Sequence, residues 1–266
     1  MRLFRVHGRT FLMEVAPNLL VPADLDDYMV AWCFIGALKT DKSFQLSHSF
    51  IQPGDTVIDI GANIGLWLLS VVGRAGPTAD IHAFEPVPAN FDRLTSNLDL
   101  NRLKGVKCCR LALSDHCGTT TFYAASNGNS GGAALTRRSG IDQPITTNLE
   151  TLDNYCAEQN IERVDFIKID VEGGELLVFQ GGKKLLSSEE APILFFEVSK
   201  PLSASFDSSP LRVKSLLNSY GYQFFRYNGK NLERVEVNED HEHEDLFAFK
   251  PFRLQRHPLG REVLNR

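Results

Sequence analysis

Long apolar runs are missing from this chain of 266 residues; the longest stretches, Leu66 to Val72 and Ile193 to Phe196, are far too short to cross a bilayer. Near the start, Arg2, Arg5, Asp24 and Asp26 interrupt any hydrophobic segment, so neither a signal peptide nor a membrane partner is expected. Cysteine is scarce and odd in number, and no Cys-x-x-Cys pair occurs. Cys33, Cys108, Cys109, Cys117 and Cys156 therefore read as reduced core thiols of a cytosolic, cytoplasmic protein rather than as disulfides or zinc ligands. Positive charge is not in excess either. A formal charge of -5 leaves no electrostatic footprint for nucleic acid, and the tail carrying Lys250, Arg253, Arg256, Arg261 and Arg266 reads as a solvated basic segment. What remains, 43% hydrophobic and 23% charged, is the composition of an ordinary globular protein with room for one large α/β domain.

The most informative segment is Thr56-Val-Ile-Asp-Ile-Gly-Ala-Asn-Ile-Gly65. Thr56 to Ile60 is β-branched except for Asp59, which suits a strand buried on both faces of a parallel sheet. Gly61 and Gly65 then permit a sharp turn and a close backbone approach to a ligand. The spacing is not the Gly-x-Gly-x-x-Gly of a dinucleotide-binding turn, because Asn63 stands where its middle glycine would fall. It fits a ligand without a pyrophosphate, such as S-adenosylmethionine, better than NAD. Asp59, one residue before the strand end, is placed to hold the turn's amides or to meet the cofactor's ammonium group through water.

A second acid agrees with this. After Ala79 to Phe84, a second strand, comes Glu85-Pro86, about 20 residues past the turn, where a carboxylate at a strand tip accepts both hydroxyls of a ribose. Pro86 and Pro88 delay the next helix, marked by Phe91, Leu94 and Leu98. Val106 to Leu113 reads as the third strand, with Ser114 or Asp115 at its carboxyl end in reach of an adenine amino group, a plain turn at Asp115 being the alternative. Thr119 to Tyr123 reads as an extra strand, and Ser126 to Gly132 as a polar, mobile loop near the site. The alternation of strands and helices is that of a doubly wound sheet.

The fourth strand runs Val164-Asp-Phe-Ile-Lys-Ile-Asp-Val-Glu-Gly-Gly-Glu175 straight into ionisable groups. Lys168, Asp170 and Glu172 alternate with apolar residues, so an extended strand points all three to one side, with Asp170 or Glu172 pairing Lys168. Glu197, near the end of the fifth strand Ile193 to Val198, faces the same cleft. These four are the candidates for acid–base work. Two or three oxygens of Asp170, Glu172 and Glu197 could also hold Mg²⁺ with waters, yet carboxylates on adjacent strands occur without metal, and the reading without a metal is preferred. The run His241-Glu-His-Glu-Asp245 reads as a solvated turn, since its histidines lack further ligands nearby.

Together, Gly54 to Gly65, Phe84-Glu-Pro-Val-Pro88 with Leu94 and Asn97, Ala112-Leu-Ser-Asp115, Thr151-Leu-Asp153, Ile167 to Gly173 with Glu175, and Glu197 resemble the FkbM family of S-adenosylmethionine-dependent methyltransferases. The resemblance spans roughly Gln52 to Lys200. It implies a class I, Rossmann-like α/β fold with a mostly parallel seven-stranded sheet and helices on both faces. It also implies O-methylation of a hydroxyl on a sugar, polyketide or other small natural product. Asp245 to Phe249 is similar to the family's closing strand. Gly174 departs from the pattern, where the family often has histidine. On this reading residues 1–50 form a helical and β cap over the site, 51–250 the cofactor-binding domain and 251–266 the basic tail.

Two other readings stay open. A nicotinamide oxidoreductase on the same architecture would need the missing glycine pattern or a Tyr-x-x-x-Lys pair, and neither occurs. A cofactor-binding partner protein without catalysis would bind S-adenosylmethionine and methylate nothing. Amide or base N-methylation is disfavoured because no Asn-Pro-Pro-Tyr or Asp-Pro-Pro-Tyr sequence is present.

Overall fold

The computed structural model describes residues 3–6, 10–16, 18–22, 30, 41–124, 133–134 and 143–260. The glycine-rich stretch 126–132, Cys33 and the arginines at 261 and 266 lie outside them. An N-terminal segment supplies β1 (Leu3–Val6), β2 (Thr10–Ala16) and β3 (Leu19–Pro22), followed by α1 (Lys42–Ser49). Next come β4 (Thr56–Ile60), α2 (Leu66–Ala75), β5 (Asp80–Phe84), α3 (Pro88–Leu100) and β6 (Val106–Cys109). A small separate sheet holds β7 (Ala112–Leu113), β8 (Gly118–Ala124), β9 (Ala133–Ala134) and β10 (Gln143–Glu150). The chain continues through α4 (Leu152–Glu158), β11 (Phe166–Ile169), α5 (Glu175–Gly181), α6 (Lys183–Ser187) and β12 (Ile193–Ser199). It ends with α7 (Lys200–Ala204), α8 (Pro210–Ser219), β13 (Gln223–Tyr227), β14 (Leu232–Val235), β15 (His243–Phe249) and α9 (Pro251–Arg256).

The main sheet has the order β14-β13-β15-β12-β11-β4-β5-β6. From β12 to β6 the strands are parallel, β15 runs antiparallel to β12, and β14 adds an eighth strand beyond the seven expected. Side-chain alternation explains why the strands are apolar throughout. Val57, Phe166, Phe195 and Phe247 enter one core with Trp67, Leu94 and Leu254, while Ile58, Ile167, Phe196 and Leu246 enter the other with Tyr155, Phe179 and Leu217. Helices thus cover both faces, as a buried parallel sheet requires.

From β4 the chain winds one way, to β5 and β6; β11 and β12 lie on the other side of β4. The crevice at the carboxyl ends of β4 and β11 is therefore a topological switch point, the standard ligand position of open α/β sheets. The third strand expected over Val106 to Leu113 is divided. Its second part leaves the sheet after Cys109 and pairs with β10 at Leu149 and Glu150, a change of partner that apolar patterning does not encode.

Of the described N-terminal residues, Met13 and Val21 pack into the core beneath α2 and α3, and Asn101 exchanges two 2.7 Å hydrogen bonds with the backbone of Leu20. α1 is tied down by Trp67, whose indole donates to Ser47 Oγ at 2.9 Å. The basic tail is less solvated than its charge suggests. Arg253 pairs with the buried Asp165, and Lys250 donates to the Ser188 carbonyl at 2.7 Å. Cys108, Cys109, Cys117 and Cys156 are free thiols, of which Cys156 is buried and Cys117 exposed. Among the described residues no helix is long and apolar enough to cross a membrane.

Candidate active site

The turn after β4 is built by backbone bonds to the tip of β5. The amides of Gly61 and Ala62 both donate to the Phe84 carbonyl, at 3.0 and 2.9 Å. Gly61 has φ +79°, and a Cβ there would lie 1.9 Å from the Asp170 carbonyl oxygen. The neighbouring strand end of β11 by itself demands a glycine here, a steric reason that the sequence reading did not supply. Gly65, with φ +86°, caps α2, and a Cβ there would strike Leu94. Asn63 adopts φ 53°, a left-handed conformation that asparagine tolerates, and its Oδ1 accepts from the Ile64 amide at 2.7 Å.

Glu85 is 4% exposed and lines the cavity. Its two carboxylate oxygens each accept a 2.8 Å backbone bond, from the amides of Asn63 and Val87. Burial pushes its pKa up to about 7, with these bonds working against the rise. The Asn90 side chain donates to the same carboxylate, so a pair of hydroxyls from the cavity side would take the remaining acceptor site and replace the Asn90 bond.

Asp59 does not face the cavity. It is fully buried and sits directly across from Lys168 in the pairing of β4 with β11. Lys168 Nζ lies 3.4 Å from Asp59, 3.4 Å from Asp170, and donates to the Gly61 carbonyl at 3.0 Å. Burial opposes the ammonium's charge, but the carboxylates of Asp59 and Asp170 outweigh it and hold Lys168 protonated above its ordinary range. Of the two partners the alternation offered for Lys168, Asp170 is the one within ion-pair distance, and Asp59 joins it from β4. Glu172 leaves the extended course at φ 56°, because β11 ends at Ile169 and the chain turns. It still lines the cavity, as does Asp170, whose side chain is 44% exposed.

The cavity holds about 730 Å³ and runs along the sheet's carboxyl edge, within the range of small-molecule sites. Gly61, Asn63 and Glu85 lie at its β4–β5 end, with Ser114 and His116 beyond. The Asp115 carboxylate is taken by Ser114 Oγ at 3.2 Å and by His116 Nδ1 at 2.6 Å. At the other end stand Asp170, Glu172, Glu197, His243 and Asp245, with Asp41 and Phe44 beside α1. Burial lifts Glu197 to about 8, and the carboxylates of Asp170, Asp245, Glu172 and Glu175 add to the rise. Gly174, which departs from the family's histidine, faces Phe206 at 3.4 Å from where a Cβ would stand. His243 and Asp245 correct a further expectation: they are no solvated turn but the start of β15, and Glu197 stands directly opposite Asp245. The pairing of the closing strand with the fifth was the missing signal.

The chain matches the family model "Methyltransferase FkbM domain" over residues 59–224. Methyltransferase sdnD of Sordaria araneosa is 35% identical over 171 residues, 53% of this chain and 65% of that protein. The 31-O-demethyl-FK506 methyltransferase FkbM of Streptomyces tacrolimicus is 31% identical over 170 residues, again 53% and 65%. The 2-O-methyltransferase NoeI of Sinorhizobium fredii is 29% identical over 201 residues, 66% of this chain and 81% of that one. The matches thus span less than two thirds of the first two relatives' own length. Among solved structures, a SAM dependent methyltransferase from Aquifex aeolicus superposes with TM-score 0.45 at 14% identity, covering 89% of this chain and 98% of its own. The family match takes in the end of β4 and the turn after it, Glu85, the β11 cluster and Glu197, and on it the chain belongs to the FkbM methyltransferase family, whose cofactor is S-adenosylmethionine.

Proposed function

We propose that the protein methylates a hydroxyl of a small molecule, a sugar, polyketide or related natural product. The observation that carries this reading is one cavity with a buried, ribose-competent carboxylate at one end and ionisable groups open to the same space at the other. Two relatives whose printed names specify O-methylation support the choice of oxygen. Glu85 accepts the ribose hydroxyls, the turn from Gly61 to Gly65 supplies the floor, and Ser114 stands at the adenine end. S-adenosylmethionine, when bound, supplies a sulfonium methyl whose carbon–sulfur bond breaks as a carbon–oxygen bond forms, leaving a neutral thioether.

The chain's own contribution is alignment and proton removal. Alignment of the acceptor oxygen is the larger effect. Asp170 receives the hydroxyl proton, worth about 10²- to 10⁴-fold in rate. Lys168 fixes this carboxylate from below and, being engaged by Asp59 and the Gly61 carbonyl as well, ties its position to the cofactor turn. Glu172 and Phe206 shape the acceptor end. The test is incubation with methyl-labelled S-adenosylmethionine and fractionated small-molecule extracts or a panel of glycosides and macrocyclic polyketides, with the label located by NMR. A labelled methoxy carbon supports the reading. Label on nitrogen or carbon overturns it, and tight cofactor binding with no transfer favours the non-catalytic alternative.

A further inference from the structure

The antiparallel pairing of β12 with β15 puts Glu197 and Asp245 directly opposite each other, with Ser199 opposite His243. Two ionised carboxylates in that relation repel, and a shared proton or a positive group between them relieves the repulsion. Lys168, the ammonium on this wall, is spent on Asp59, Asp170 and the Gly61 carbonyl. His243 lies two residues from Asp245 on the same face of β15 and brings its Nδ1 to 3.5 Å from Glu197 Oε1. One ligand atom each from Glu197, His243 and Asp245 fall within 4.8 Å of one another.

We propose that Glu197, His243 and Asp245 form a divalent-cation site in the acceptor half of the cavity. The inference rests on the methyltransferase reading for its purpose but not for its geometry. Neighbouring ligands on a cation with bonds of about 2.1 Å lie about 3 Å apart, so small rotations of these exposed and half-buried side chains complete the site. Two carboxylate oxygens with one imidazole nitrogen suit a borderline ion such as Mn²⁺, Fe²⁺ or Co²⁺ better than Mg²⁺, which prefers oxygen alone. Three protein ligands leave further positions open to the cavity, the arrangement of sites that act on substrates rather than only hold a fold. A cation there would bind the acceptor's hydroxyl and lower its pKa, so that Asp170 has less work to do.

The test uses the whole chain and Mn²⁺ alone, followed by the loss of the free-ion electron paramagnetic resonance signal, with and without S-adenosylhomocysteine. One Mn²⁺ should bind per chain. His243→Ala and Asp245→Asn should each weaken binding by at least the roughly 10- to 100-fold that loss of a ligand's outer partner costs, while Asp240→Asn, an exposed carboxylate nearby in sequence, leaves it unchanged. Co²⁺ should show d–d bands altered by His243→Ala. S-adenosylhomocysteine affinity and far-UV circular dichroism, measured in parallel, should hold in all variants. Loss of Mn²⁺ binding with cofactor binding intact in the wild type would sink the cation site and leave the methyltransferase reading standing. Equal Mn²⁺ affinity in wild type, His243→Ala and Asp245→Asn, or no saturable binding at millimolar Mn²⁺, overturns the proposal.

Discussion

Replacing Glu85 by glutamine keeps the volume of a buried group and removes the charge through which it would hold a ribose. The carboxylate is 4% exposed and fixed by two 2.8 Å amide bonds, so it does not move to escape the loss. Its bonds to the ribose hydroxyls would be charge-assisted; their loss costs about 1 to 3 kcal/mol, or roughly 5- to 150-fold in Kd. The pH dependence follows from the same group. Burial places its pKa at about 7 in the free protein. Below that value the acid form dominates and must release its proton to accept both hydroxyls. Affinity for S-adenosylhomocysteine is therefore expected to fall as pH drops through 7, approaching about tenfold per unit well below it. Isothermal titration calorimetry between pH 5.5 and 8.5 measures both effects, and Glu85→Gln should be flat over the range. Wild-type affinity in the variant, or a pH slope that survives the substitution, refutes the ribose role.

Other expectations follow from the packing around the turn. Gly61→Ala places a methyl group against the Asp170 carbonyl at a backbone φ of +79°, so it should destabilise the fold by about 3 kcal/mol or more in urea denaturation, cofactor or not; wild-type stability with lost cofactor binding would restore the ligand-approach explanation. Lys168→Met leaves Asp59 buried without its cation and should cost about 3 to 5 kcal/mol, part of which Asp59→Asn in the same chain recovers; additive losses would mean that the two do not act as a pair. Asp170→Asn should lower methyl transfer by ~10²-fold or more with cofactor affinity nearly unchanged, and unaltered turnover would move the base elsewhere. Glu175, buried, has its pKa raised to about 7, so between the unfolded value of 4.5 and 7 the folded state holds a proton that the unfolded chain releases. Stability of the ligand-free protein should fall with rising pH across that window, with Glu85 and Glu197 adding to the slope, and Glu175→Gln should reduce it in thermal melts; an unchanged slope assigns it to the other groups.

Much of this architecture was written locally. The β-branched run before Gly61, the acid after the second strand and the apolar faces of α3 and α5 each depend on neighbours in sequence, so strand, turn and helix were readable one by one. Pairing was not. Whether Ala112 and Leu113 extend β6 or join β10 is decided by Leu149 and Glu150, far along the chain. Asp59 reads as a ligand-facing acid until the register sets it against Lys168. The alternation of Lys168, Asp170 and Glu172 holds only while the strand continues, and it stops at Ile169. His243 and Asp245 share a face of one strand, but Glu197 joins them only through the contact between β12 and β15. The β4–β5 end of the cavity was legible because one turn and one strand tip make it; the Glu197 end is assembled by long-range strand pairing.

The most direct test is a crystal structure of the complete chain with S-adenosylhomocysteine. The account predicts both ribose hydroxyls on the Glu85 carboxylate, the adenine beside Ser114, and the sulfur turned toward Asp170 with the space before Glu197 left for an acceptor. A ligand seated away from Glu85, or one whose sulfur points away from Asp170, would contradict it.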